Sequence, residues 1–135
     1  MGSSTAKPRK KKPTPTHYVS WFEIPALHLD RAVAFYNAIF GISMEILASD
    51  AYQMALFPSA DGNGGAVVVG QGMMPSDRGT LLYLNGGKDL NIVLGRVESA
   101  GGRVVMEKTL ISDEAGYFAI FIDTEGNKLA LHSGS

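Results

Sequence analysis

The chain has no cysteine, and this one absence removes disulfides, zinc–thiolate centres, iron–sulfur clusters and a cysteine nucleophile from consideration. A reducing, cytoplasmic setting is compatible with it. Long apolar runs are missing too. None approaches the ~20 residues of a membrane-spanning helix, so no membrane partner is expected. No glycine-rich loop joins a strand to a helix start in the manner of a phosphate site; the glycines fall in turns. The charged beginning of the chain is not followed by the apolar stretch of a secretory signal. The Met1-Gly2 start lacks the Ser or Thr that myristoylation needs, because Ala6 stands there.

What is present is an ordinary amount of apolar sequence, 45% of 135 residues, enough for one core and therefore one domain. The near-neutral net charge of −1 hides an asymmetry. Five of the twelve basic residues lie between Lys7 and Lys12 with no acid among them, leaving seven basic against thirteen acidic residues from Pro13 onward. An acidic body argues against a nucleic-acid partner. The basic head has three prolines and no apolar periodicity, which predicts a solvated, disordered tail over residues 1–16. It is a plain extension or, alternatively, a polyanion or nuclear-localisation patch.

Residues 18–25 are β-branched and aromatic and end on Pro25, which predicts a strand. Asp30 offers an N-cap, and Ala32, Phe35, Tyr36, Ile39 and Phe40 lay one apolar stripe along a helix that Gly41 ends. Strand-like runs follow at 43–48, 52–57 and 66–70. The second half repeats the order: a strand at 80–85, a helix over 89–100 with Leu90, Val93, Leu94 and Val97 as its stripe, and strands at 103–108, 117–123 and 128–132. The pattern is α+β, two βαβββ repeats at about 17–72 and 79–133 within one domain, 17–133. Each helix covers one face of its sheet, so the other face must be enclosed by the other repeat or by a second copy, and a homodimer is expected.

The stretch Trp21-Phe22-Glu23-Ile24-Pro25, the run Leu29-Asp30-Arg31-Ala32 leading to Phe35-Tyr36, and Phe40-Gly41 resemble the opening of vicinal oxygen chelate proteins. These are the glyoxalase, bleomycin-resistance and dioxygenase superfamily. Glu98 to Val105, Gly116 to Asp123 and Glu125-Gly126-Asn127-Lys128 look like its closing repeat, particularly in an uncharacterised glyoxalase-like branch. The likeness spans residues 17–133. Each fragment is weak alone, and their order and spacing carry the resemblance. It implies an open, cup-shaped mixed β-sheet with the helices on its outer face, but no particular reaction, since the superfamily holds isomerases, dioxygenases, lyases, epimerases and drug-sequestering proteins.

Metal-dependent members of that superfamily take one ligand from the first and fourth strand of each repeat. By resemblance those positions fall on Trp21, within the run 65–69, on Thr80 and on Ala130, none of which supplies a carboxylate or imidazole. No metal and no other cofactor is therefore expected, unless a register change of four residues brings His17 into the first position. Strand alternation from these positions places Trp21, Glu23, Thr80, Leu82, Ala130 and His132 around the cup, with Leu84 on the same face and Tyr83 on the helix-covered one. Met73-Met74-Pro75 is a candidate lid. Glu23 and His132 read either as a general acid/base pair or as a structural pair. The reading is a cytoplasmic small-molecule-binding protein without the superfamily's metal site. The alternative is a lyase or isomerase of the lactoylglutathione-lyase type, acting on a 2-oxo or enediol substrate with Glu23 as base.

Overall fold

The computed structural model describes residues 14–62 and 64–135. The basic run expected to form a tail lies outside the described residues; of that segment only 14–16 are described, and they are exposed.

Strand β1 (Phe22–Pro25), helix α1 (Leu29–Phe40) and strands β2 (Glu45–Ala48), β3 (Tyr52–Leu56) and β4 (Gly65–Gly70) form the first unit. Strand β5 (Tyr83–Asn85), helix α2 (Asn91–Leu94) and strands β6 (Arg103–Ser112), β7 (Gly116–Ile122) and β8 (Lys128–Ser133) form the second. The sheets are ordered β1-β4-β3-β2 and β5-β8-β7-β6, the same topology twice. In each the first strand runs parallel to the last and the remaining pairs are antiparallel. The architecture is α+β, two open mixed sheets from two βαβββ units.

Two elements start later than the sequence suggests, for a common reason. β1 and β5 are edge strands with a ladder on one side only, and each is a strand only where that ladder runs: from Phe22↔Gly65, the first residue of β4, and from Tyr83↔Ala130, two residues into β8. Residues 18–21 and 80–82 therefore lie before the strands.

The stripe of α1 is buried as its spacing dictates, with Ala32, Phe35, Tyr36 and Ile39 at 1% exposure or less. Gly41 ends the helix in the left-handed conformation, φ 63°, donating its N–H to Asn37 O. The N-cap is His28, not Asp30, and it makes no side-chain cap. Asp30 sits in the first turn, where its charge complements the helix dipole.

The second helix is shorter than expected, Asn91–Leu94 instead of 89–100. Gly95 falls in mid-stripe and Ile92, Val93 and Val97 are β-branched, so helical propensity is poor. Beyond it the chain continues as turns bonded three residues back, Arg96 N to Val93 O and Val97 N to Leu94 O. The stripe survives the change: Leu90, Val93, Leu94 and Val97 are all buried.

One hydrophobic cluster draws on both units. Phe35 packs edge-on to Tyr36 and lies 6.0 Å from Phe121 of the second repeat. Burying a side chain of that size contributes ~2–3 kcal/mol, so the repeats are held together by their own core. Among the described residues no helix is long and apolar enough to cross a membrane.

Candidate ligand cleft between the repeats

Alternation along β1 sends Phe22 and Ile24 towards the core and leaves Trp21 and Glu23 on the opposite, open side. There the Trp21 indole Nε1 donates to Glu23 Oε2 at 3.3 Å. Along β8, Leu129 and Leu131 enter the core, while Ala130 and His132 take the open face. Ala130 stands between Tyr83 and Ile120 in the ladder and is fully buried.

The expected parity fails on β5. Leu84 is in the core at 7% exposure, and Tyr83, 48% exposed, occupies the open face 6.3 Å from Phe118. Leu84 pairs with Leu131, and this register assigns the faces. Thr80 and Leu82 precede the strand, so their positions are set by the linking segment; Leu82 O accepts the Ala130 N–H at 2.9 Å.

A cleft of about 230 Å³ opens where β1, the segment joining the repeats and the start of β8 meet. Glu23, Thr80 and Leu82 line it together with Met74, Arg78 and Lys128. Half of the six inferred cup residues thus converge here. Met74, of the segment read as a candidate lid, is 73% exposed and lines the same cleft. Trp21 is joined to the cleft through Glu23, whereas Ala130 and His132 do not line it.

Glu23 and His132 share no hydrogen bond or ion pair among the described residues. The imidazole Nε2 instead lies 2.6 Å from Ala115 O in the turn between β6 and β7.

Beneath the cleft is a polar cluster that the sequence did not single out as a site. Glu125, its side chain fully buried, accepts from the backbone N–H groups of Leu27 and His28, both at 2.9 Å, from Arg31 Nε at 2.7 Å and Nη2 at 3.1 Å, and from Thr124 Oγ1 at 2.9 Å. A carboxylate from the far end of the chain thereby satisfies donors at the start of α1 and makes a local side-chain cap unnecessary. Burial opposes its ionisation, but the bonds from Arg31, His28, Thr124 and Leu27 outweigh burial and pull its pKa down to about 2. Asp123 accepts from Tyr36 OH at 2.7 Å, from the Glu125 and Asn127 N–H groups and from Asn127 Nδ2. The Tyr36 hydroxyl is held well above its ordinary pKa by burial and by the Asp123 charge, so it remains a donor. Asn127 Nδ2 also reaches Pro25 O at 2.7 Å, and its Oδ1 accepts from Ser76 N. The signal available in the sequence was the Asp123 to Asn127 turn, which contributed to the resemblance only as a weak fragment.

The donor set does not fit the metal that the superfamily resemblance implies. Ala66, the residue beside Glu23 in the β4 ladder, and Ala130 carry no ligating atom, and both are fully buried. Among the described residues no group of three His, Asp or Glu side chains could hold an ion. His17 is exposed, lies five residues before β1 and belongs to no group of three such side chains among the described residues.

Neither protein-family models nor curated proteins match the sequence. Solved structures do. A hypothetical protein from S. aureus is 19% identical with a TM-score of 0.59, covering 88% of this chain and 95% of its own. A glyoxalase/bleomycin resistance protein/dioxygenase family enzyme from Burkholderia phytofirmans is 15% identical, TM-score 0.62, over 87% and 98%. The fold is that of the glyoxalase/bleomycin-resistance proteins. Glyoxalase I from Zea mays is 20% identical with a TM-score of 0.63, over 85% of this chain and 44% of that one, so this chain spans less than half of the maize enzyme. At such identities the glyoxalase/bleomycin-resistance likeness establishes the fold and leaves function to the site.

Proposed function

We propose that this chain is a cytosolic small-molecule-binding protein on the glyoxalase/bleomycin-resistance fold, with its ligand in the cleft between the repeats. The observation that carries the reading is the convergence of Glu23 from the first repeat with Thr80 and Leu82 from the second on one cavity. Its volume, about 230 Å³, lies below the usual range for drug-sized ligands and suits a small molecule. The apolar wall and the few polar groups around it are the usual composition of such sites. Metal-assisted turnover has no support in the donor set. A lyase or isomerase using Glu23 as base lacks the expected second group, because His132 is bonded away from the cleft.

We propose further that the chain forms a homodimer through its open sheet faces, where Tyr83, Met106 and Leu47 are each at least 40% exposed. Sedimentation at micromolar concentration tests this; a monomer throughout would reject it.

The test of the ligand site is a thermal-shift screen of small metabolites. A ligand present at a hundred times its Kd should stabilise the fold by ~2.7 kcal/mol. Thr80→Tyr, which fills the cleft from an exposed position, should abolish the shift and leave the unliganded melting temperature within about a degree. Ligands indifferent to Thr80→Tyr would place the site elsewhere.

A further inference from the structure

The charges around the cleft are of both signs and are left unspent. Among the described residues the Glu23 carboxylate accepts from the Trp21 indole alone. Among the described residues the Arg78 side chain, 93% exposed, has one charged neighbour, Asp77 at 3.9 Å, and the Lys128 ammonium is in no ion pair. Among the described residues no ion pair joins Glu23 to either cation, although all three line the same cavity. Asn127, another polar side chain there, spends both amide protons on Pro25 and Asp123 and accepts from Ser76, so it has no donor left for a ligand.

From this arrangement, and resting on the ligand-site reading above, we infer that the cleft takes a zwitterion of amino-acid size. Its ammonium group faces Glu23, its carboxylate faces Arg78 and Lys128, and its apolar body lies against Leu82 and Met74. Charge decides between the classes of ligand. A simple anion would bring its charge towards Glu23 within a cleft of about 230 Å³, and a simple cation would meet Arg78 and Lys128; each meets like charge on one wall, an opposition that solvent weakens without removing. A zwitterion satisfies both walls at once, and bidentate pairing with Arg78 would orient it. Size agrees, since at the close-packed density of protein interiors the cavity holds roughly a dozen non-hydrogen atoms.

The experiment compares leucine, methionine and phenylalanine, each as the free amino acid, the N-acetyl derivative and the primary amide, titrated against the full chain. Trp21 fluorescence is the readout, because the only tryptophan is bonded to Glu23; calorimetry provides an optically independent one. At least one free amino acid should bind about tenfold or more tighter than both of its derivatives, as expected for loss of one charged hydrogen bond. Glu23→Gln should erase the preference over the N-acetyl form and keep that over the amide. The Arg78→Ala, Lys128→Ala double variant should do the reverse. Equal or tighter binding of the N-acetyl forms would overturn the zwitterion inference while leaving a ligand cleft in place. Absence of binding by any of the nine compounds would also overturn it, and a metabolite screen that was also silent would remove the ligand-site reading as well.

Discussion

Two groups of charged residues flank β1, and they are built on opposite terms. At the start of α1, Glu125, Arg31, Asp123 and Tyr36 bond one another, with Asn127 bridging from Asp123 to the cleft wall, and among the described residues no buried side-chain nitrogen or oxygen lacks a partner. On the open side, Glu23, Arg78 and Lys128 line one cavity and, among the described residues, do not pair with one another. A group that has spent its hydrogen-bonding capacity on the protein holds the fold; one that keeps it has something left for a ligand. The perturbed pKa of Glu125 would by itself suggest a functional residue. Its bonds to Leu27 and His28 show that it anchors the turn between β7 and β8 to the start of α1, and so locks the second repeat to the first.

The largest effect that would break this comparison is at Glu125. Glu125→Gln puts an amide NH2 among donors and leaves Arg31 without its carboxylate. The cost should be roughly 2–4 kcal/mol, placed below the fully buried case because Arg31 is half exposed. In a domain of this size that corresponds to a fall of about 10 °C in melting temperature by calorimetry. Loss of only a degree or two would mean that the repeats are held by the core alone.

The same residue makes a pH prediction. The folded-state pKa of Glu125 is about 2 against an ordinary value of 4.5. Its contribution is therefore complete above about pH 5 and is lost as pH falls through that value towards 2. The gap corresponds to about 3 kcal/mol. Denaturant melts between pH 7 and 3 should show stability falling on the acid side in the native chain and falling less steeply in Glu125→Gln. Parallel curves would contradict the assignment.

How much of this was legible in the sequence depends on the range of the interaction. The stripes of Phe35, Tyr36 and Ile39 and of Leu90, Val93 and Leu94 are local, and periodicity exposed them even where α2 loosens after Gly95. The alternation that placed Glu23 and Trp21 on the open face is also local. The same reasoning failed at Tyr83 and Leu84 because β5 is an edge strand whose register is decided by its partner β8, some 47 residues away. The contact between Arg31 and Glu125 spans 94 residues, and only their presence in the fragments that carried the family resemblance marked them. The separation of Glu23 from His132 could not be read from alternation, which gives the face of a side chain and says nothing of its position along that face.

A smaller effect is expected at Tyr36. Tyr36→Phe removes one donor from Asp123, which retains Asn127 Nδ2 and two backbone N–H groups. The loss should be roughly 1–2 kcal/mol by denaturant titration. A cost equal to that of Glu125→Gln would mean that the hydroxyl, not the ion pair, is the centre of the lock. The smallest effect sharpens the boundary of the domain: deleting residues 1–15 should move the melting temperature by less than about a degree, since that segment has no apolar surface to add to a core. A drop of several degrees would show that the basic segment contributes to the fold.

The most direct test of the contrast is to measure stability and ligand binding in the same two variants, Glu125→Gln and Glu23→Gln, with leucine, methionine and phenylalanine as probes. The account predicts a clean separation. Glu125→Gln melts about 10 °C lower yet binds as the native chain does at a temperature where it is folded, whereas Glu23→Gln melts within about a degree of the native chain and loses affinity about tenfold. The opposite pattern, with Glu23→Gln unstable and Glu125→Gln stable but unable to bind, would show that the lock and the site had been assigned the wrong way round.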